Sequence, residues 1–290
     1  MNNIYIKFPN INPIYFSLGF ISLHWYGLIY FMCFTISIWY SKKYAKKYVN
    51  LKKKYIKKLI YYCFIGLFFG GRIGYVIFYK FSDFLKNKFY IFQIWNGGMS
   101  FHGGLIGIII SCLIFSIKNK INFFKITDFI SLISPISLGI GRIGNFINDE
   151  LFGRVAINFP GAFLFPNSIK FDLKELKLHP EFKKIINTYG MLPRYPSQLF
   201  EFFFEGIILF IIINYFLKKT KKTGIVSSIF LIFYGIFRIF LEQFREPDIK
   251  INILYKNFTL GQLLSFPMII LGLLLFILLN YKKNKKFFTL

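Results

Sequence analysis

The feature that most constrains this chain is a succession of seven long, mainly apolar runs, near residues 17–39, 59–79, 100–117, 126–146, 198–217, 224–243 and 261–280. Each is close to the length a helix needs to cross about 30 Å of hydrocarbon. A segment immersed in lipid has to be helical, because its backbone N–H and C=O groups find no water to bond with. The spacing therefore predicts an all-α integral membrane protein of about seven transmembrane helices, a single polytopic domain over residues 1–290. With 55% hydrophobic and 22% aromatic residues, a soluble enzyme is excluded. The third run is short, and Gly103, Gly104 and Gly107 lower its helix propensity. The first lacks a basic start and a small-residue cleavage site, so it reads as a retained helix rather than a signal peptide.

A formal net charge of +25 would suggest nucleic acid if it were spread evenly, but it is partitioned by segment. Lysines crowd residues 42–58, 118–125, 218–222 and 282–286, whereas the alternate short segments carry few cations, among them Lys7, Lys86, Lys88, Arg245, Lys250 and Lys256. By the positive-inside rule the N-terminus is outside and the C-terminus cytoplasmic. No nucleic-acid partner is implied, and the lysines of 42–58 suit a solvated cytoplasmic connection near anionic lipid heads. Cys33, Cys63 and Cys112 each fall inside a run and read as small apolar fillers. Residues 147–196, mixed polar and holding five prolines, form the one sizeable extramembrane segment, a small extracytoplasmic cap between helices four and five. It is too short for a deep core of its own and is expected to rest on the helix ends.

A cation in a span is costly, at least about 2.5 kcal/mol at mid-bilayer, and so marks function unless a partner excuses it. Gly139 to Arg154 reads G-I-G-R-I-G-N-F-I-N-D-E-L-F-G-R, placing Arg142, Asn145, Asn148, Glu150 and Arg154 within thirteen residues. Arg72 lies in the second helix about 10 Å from its outer end at 1.5 Å per residue. His102 opens the third among glycines that suggest backbone clearance around it. Asp128 suits pairing with a neighbouring lysine. Ser197, Gln198 and Glu201 open the fifth helix, where capping alone accounts for them. Tyr234, Arg238 and Glu242 are spaced four apart, one face of the sixth. His24, Trp25 and Tyr26 sit early in the first, Trp25 as an interfacial anchor. On the expected topology these groups sort toward the outer ends of five helices, so one site at the outer leaflet is the economical account.

The motifs H-W-Y-G, G-G-R-I-G-Y, G-G-M-S-F-H-G-G-L, G-R-I-G-N-F-I-N-D-E-L-F-G-R, P-S-Q-L-F-E and Y-G-I-F-R-I-F-L-E together resemble the bacterial prolipoprotein diacylglyceryl transferase family over nearly the whole chain. The resemblance implies an inner-membrane enzyme with its active site toward the outer leaflet. Such an enzyme moves the diacylglyceryl group of phosphatidylglycerol onto the lipobox cysteine of a prolipoprotein and releases glycerol phosphate. By motif, the family's functional residues fall on Tyr26, His102, Arg142, Asn145, Glu150, Gly153, Tyr234, Arg238 and Glu242. Many members carry His before P-S-Q-L, where this chain has Tyr195.

The inventory suits that chemistry. A thiol of pKa about 8.5 needs a base, for which His102 is the candidate. Arg142 and Arg238 suit a phosphate clamp, with Asn145 and Tyr234 as donors and Glu150 and Glu242 orienting the arginines. No metal cluster, P-loop or dinucleotide motif occurs in the sequence, so no cofactor is expected. A transporter or lipid-binding protein for an anionic substrate is the rival reading, since the same arginines would serve it. Against it stand the lack of paired broken helices and of an acidic relay through the mid-membrane.

Overall fold

The computed structural model describes residues 5–9, 11–12, 14–18, 21–48, 51–93, 97–246 and 259–281. Lys250, Lys256 and the lysines of 282–286 lie outside them. Helices dominate: α1 (Trp25–Tyr48), α2 (Lys53–Tyr79), α3 (Phe81–Lys86), α4 (Phe101–Asn119), α5 (Phe123–Ile147), α6 (Ile169–Leu178), α7 (Lys183–Tyr189), α8 (Ser197–Glu201), α9 (Leu209–Lys219), α10 (Ile225–Leu241) and α11 (Leu260–Tyr281). A π-helical stretch, Phe202–Ile208, joins α8 to α9. Among the described residues, four helical segments are long and apolar enough to cross a membrane: Lys53–Tyr79, Phe123–Ile147, Ser197–Lys219 and Gly261–Tyr281. Gly103–Asn119 and Ile225–Leu241 are shorter apolar helices. The protein is thus a mostly helical membrane protein.

The first run departs from expectation. Its opening residues form a hairpin, β2 (Ile14–Leu18) antiparallel to β3 (Ile21–His24), preceded by the short strand β1 (Ile6–Lys7), and the helix begins only at Trp25. Ser17 pairs with Ser22 and Phe16 with Leu23, an alternation that suits a strand better than a helix. An open two-stranded edge cannot sit in hydrocarbon, so any crossing by this run starts after it. At the other end α1 and α2 extend past their apolar runs, Lys42, Lys43, Lys46 and Lys47 riding on α1 and Lys53, Lys54, Lys57 and Lys58 on α2. Lysine is a good helix former whose long stem keeps its ammonium in water.

The chain divides into two compact units, one of Met1–Ser37, Ser131–Thr220 and Ile225–Leu290 and the other of Ile38–Ile130 and Lys221–Gly224. In the smaller unit, α2 and α4 pack backbone to backbone. Gly66, Gly70 and Gly74 on α2 recur every fourth residue, as do Gly103, Gly107 and Ser111 on α4. A Cβ on Gly74 would meet Gly103 Cα at 2.6 Å, and one on Gly70 would meet Gly107 Cα at 2.9 Å. Between apolar helices in lipid, such small faces gain contact that larger side chains would prevent. Gly103 and Gly107 therefore serve this helix contact. Leu51, Ile56, Leu59, Phe115, Ile126 and Phe129 fill the unit's core.

Arg72 needs no lipid. It is buried, and it donates to the backbone carbonyls of Tyr90, Ile91 and Gln93 at 2.8, 3.1 and 2.8 Å, tying down the end of the 3-10 turn Lys88–Phe92. Asp128, also buried, accepts the Gly224 N–H at 2.6 Å, just before α10 begins.

In the larger unit, 148–196 folds as a mixed segment of short strands and helices. Strand β4 (Phe163–Leu164) lies between parallel β1 and antiparallel β5 (Pro193–Arg194). Tyr5, Ala156, Ala162 and Leu164 form its apolar centre, with Phe159, Met191 and Tyr195 against it. Its polar centre is Arg194, wholly buried: Nε donates to Asp172 Oδ1 at 2.8 Å, and Nη1 to Gly153 O at 3.0 Å and to Glu246 Oε2 at 2.9 Å. Asp172 Oδ2 accepts from Ser168 Oγ and Leu192 N at 2.8 and 3.0 Å. The segment is fastened to the end of α10 by Arg154 N–H to Phe244 O and Glu246 N–H to Phe152 O.

Candidate active site

Within the larger unit, three helices bring charged side chains together. Arg142 comes from α5, Glu201 and Glu205 from α8 and the π-helical stretch after it, and Arg238 from α10, with Glu242 and Arg245 in the turn that follows. Glu201 is the hub. Its carboxylate lies 3.1 Å from Arg142 Nε, 2.8 Å from Arg238 Nη1 and 3.3 Å from Arg245 Nη1. Glu205 Oε2 accepts from Arg142 Nε and Nη2 at 3.2 and 2.9 Å. Glu242 reaches Arg238 Nη2 at 3.1 Å. The Glu201 and Glu205 side chains are fully buried, while those of Arg142 and Arg238 keep 15% of their surface.

Three guanidiniums thus face three carboxylates, and each charge has an opposite within about one hydrogen-bond length. Burying ions without such pairing costs several kcal/mol apiece, so the cluster is tolerable only as a set. The expected pair of Arg238 with Glu242 is present, but Arg238 is shared with Glu201. Sequence reasoning let capping account for Glu201 while counting it among the groups at the outer helix ends, and missed Glu205 and Arg245 in the cluster. The signal for Glu205 was available, since a carboxylate inside an apolar run asks for a partner as much as an arginine does. Gly261, at the start of α11, leaves room for Glu242: a Cβ there would sit 2.6 Å from its Oε2.

Tyr234 lies one turn before Arg238, buried, with its ring stacked on Phe230 at 5.6 Å. Glu150 does not orient an arginine; among the described residues its carboxylate is in no ion pair. It sits in the turn after α5, where its N–H donates to Asn145 O at 3.0 Å. Burial pushes its carboxyl up to about 7, and that of Asp149 up to about 6 against the lowering bond from Asn167 N–H. Asp149 and Leu151, on either side of Glu150, hold φ of 52° and 56°, a conformation uncommon for residues with a Cβ that persists where the surroundings impose it.

Those surroundings are the P-S-Q-L motif. Ser197 does not cap its own helix; its Oγ donates to Leu151 O at 3.0 Å, and Gln198 Nε2 donates to Glu150 O at 2.7 Å. Gly153 is a crossing point: its N–H donates to Tyr195 O at 2.9 Å, and a Cβ would meet Phe244 O and Tyr195 O at 2.5 Å each. Tyr195 acts through its backbone and through ring contacts with Phe159 and Phe244 at 5.1 and 5.4 Å.

The structure therefore brings Arg142, Arg238 and Glu242 into one cluster, and holds Asn145 in the last turn of α5 with Glu150 and Gly153 in the segment that follows. Tyr26 lies in the first turn of α1. His102 lies in the first turn of α4, whose start Ser100 caps by accepting the Gly103 N–H at 3.2 Å, and belongs to the other unit. The side chains of both fall outside the described residues. Chemically, the cluster offers guanidinium forks backed by carboxylates in a water-poor setting, suited to a phosphate or carboxylate of a lipid.

Comparison with known proteins converges on the same chemistry. A family model described as prolipoprotein diacylglyceryl transferase matches residues 13–278. A phosphatidylglycerol–prolipoprotein diacylglyceryl transferase of Buchnera aphidicola subsp. Schizaphis graminum is 54% identical over 271 residues, covering 93% of this chain and 98% of its own length. Proteins of the same name from Erwinia tasmaniensis and Proteus mirabilis are 49% and 48% identical, over 96% and 97% of this chain and 95% and 96% of their own. A match of this extent, taking in the segments that build the arginine cluster, places the chain in the prolipoprotein diacylglyceryl transferase family.

Proposed function

We propose that this protein transfers the diacylglyceryl group of phosphatidylglycerol to the lipobox cysteine thiol of prolipoproteins, the first step of lipoprotein maturation. The observation that carries the reading is the near full-length similarity to relatives named for that activity. The arginine cluster supplies a means. In the reaction the cysteine thiol gives its proton to a base, the thiolate sulfur attacks the glycerol carbon that bears the phosphate ester, and the carbon–oxygen bond breaks with its electron pair going to the phosphate oxygen. Glycerol phosphate leaves. Negative charge grows on the phosphate as that bond breaks, so a preorganised cation there stabilises the transition state more than the ground state.

We assign the phosphate contact to Arg142 and Arg238, hydrogen-bond donation to Asn145 and Tyr234, and the base to His102 on its chemistry and motif. Tyr26 joins His102, Arg142 and Arg238 in the catalytic set, and Glu150, Gly153 and Glu242 complete the substrate-binding set. The topology proposed with this is seven spans in the bacterial inner membrane, N-terminus outside and C-terminus cytoplasmic, with 147–196 as an extracytoplasmic cap and the site toward the outer leaflet. The uneven lysine distribution supports it.

The test is direct. Purified protein is incubated with phosphatidylglycerol and a lipobox peptide, and the peptide is followed by mass spectrometry. A mass gain equal to diacylglycerol minus water, absent when the peptide cysteine is replaced by serine, is the expected result. Lipid binding with no modified peptide would instead support a lipid-binding or transport role.

A further inference from the structure

We propose that Glu205, to which the motifs assign no role, is the positioning residue that sets the Arg142 guanidinium for its phosphate; the inference rests on the phosphate role given to Arg142 above. Two donors of Arg142, Nε and Nη2, converge on the single oxygen Oε2 of Glu205 at 3.2 and 2.9 Å. Among the described residues Arg142 Nη1 has no partner. A guanidinium gripped along one edge loses its rotational freedom and presents the other edge to an anion. Glu205 itself is fully buried, and its Oε1 makes no hydrogen bond, standing 3.9 Å from Arg238 Nη1. It thus spends its best geometry on Arg142 alone.

The backbone is built to make this contact. Glu205 lies inside the π-helical stretch Phe202–Ile208, a geometry that is rare and concentrated at functional sites. Next to it, Gly206 touches Gly139 of α5: a Cβ on Gly206 would meet Gly139 Cα at 2.9 Å, and one on Gly139 would meet Gly206 Cα at 3.0 Å. Arg142 is one turn beyond Gly139. The two glycines let the helices close until the carboxylate reaches the guanidinium, which any side chain at either position would prevent.

Steady-state kinetics of the full-length enzyme, with phosphatidylglycerol in mixed micelles and a lipobox peptide, test the role. Glu205→Gln is expected to lower kcat/KM for phosphatidylglycerol about tenfold to a hundredfold, the loss typical of a misplaced reacting group, while KM for the peptide is unchanged. Glu205→Asp should recover part of the loss. Gly206→Ala, which alters no charge, should reproduce the lipid-specific loss. In an Arg142→Gln background, with product followed over single turnovers, Glu205→Gln should add nothing further. Parental kcat/KM in a folded Glu205→Gln enzyme overturns the inference, as does an equal fall for both substrates that follows the loss of folded protein. An inactive Arg142→Gln beside a fully active Glu205→Gln overturns this inference alone. A fully active Arg142→Gln overturns the phosphate reading and this inference with it.

Discussion

Neutralising Glu201 should destabilise the protein more than neutralising any other carboxylate of the arginine cluster. Its side chain is fully buried and lies within 3.3 Å of nitrogens from Arg142, Arg238 and Arg245. In Glu201→Gln, three guanidiniums face two carboxylates. Removing one partner of a buried ion pair costs about 3–5 kcal/mol, because the remaining charge stays buried without compensation. The arginine side chains retain 7–15% exposure, so some residual charge reaches water and the lower end, about 3 kcal/mol, is expected. Glu242 reaches one arginine, at 3.1 Å, and Glu242→Gln should cost about half as much or less.

The decisive comparison adds Arg245→Gln to Glu201→Gln. That double variant restores two cations against two anions and should regain most of the lost melting temperature. Thermal unfolding of five proteins in one detergent (the parent, Glu201→Gln, Glu242→Gln, Arg245→Gln and the double variant), read by loss of monodisperse protein on gel filtration, gives the ranking. A Glu201→Gln protein that melts with the parent, or no lower than Glu242→Gln, would refute the hub argument. So would a double variant whose loss is the sum of its parts.

Three further outcomes follow from particular contacts. Gly107→Leu should break the α2–α4 contact and cost about 3 kcal/mol or more of thermal stability by overpacking, whereas Gly141→Ala, with nothing within 4 Å of the new Cβ, should melt with or slightly above the parent. Glu150, pushed up to about 7 by burial, holds a proton in the folded state that it gives up near 4.5 when unfolded. The stability from its neutral form is full below about 4.5 and lost as pH rises through about 7. Melting temperature should therefore fall between pH 5 and 8, and Glu150→Gln should flatten most of that fall, Asp149 supplying the remainder from its own raised value of about 6. His102→Gln should slow transfer about a hundredfold or more with phosphatidylglycerol binding retained, and higher pH should partly restore it, as expected when a general base is removed; near-parental turnover at neutral pH would leave His102 outside the chemistry.

How much of this was legible in the sequence differs by residue. Hydropathy located the apolar helices, because lipid permits few alternatives to a helix in a long apolar run. It misjudged the start of the first run, from residue 17, where Ser17 pairs with Ser22 and Leu18 with Ile21 in a hairpin, since an apolar count does not record period. Arg142 and Arg238 stood out as charges in costly places. Glu242 stood out beside Arg238, but the other carboxylates did so less or not at all, because Glu201, though counted among the groups at the outer helix ends, opens a helix where capping is the ordinary use of an acid, and Glu205 lies on a π-helical stretch that no local pattern announces. Ser197 and Gln198 were read by the same capping habit, yet they hold the backbone of Leu151 and Glu150 about 46 and 48 residues earlier. Arg72 called for either a buried partner or a lipid phosphate, and the structure supplies the first, in carbonyls of the turn Lys88–Phe92 and its end, which the sequence did not name. The hairpin apart, each miss is a contact between segments distant in sequence, where only tertiary structure decides the partner.

The central claim is that the buried arginines grip the lipid phosphate rather than merely pairing with their carboxylates, and the double variant Arg238→Gln, Glu242→Gln tests it most directly. Removing both members of an ion pair leaves no uncompensated charge and is often tolerated, and Glu201 keeps Arg142 and Arg245 as partners. The account predicts a folded protein, melting close to the parent, that transfers diacylglyceryl from phosphatidylglycerol to a lipobox peptide at a rate at least about a hundredfold lower, the loss expected when a group aimed at developing charge is removed. A well-folded double variant working at close to the parental rate would contradict it.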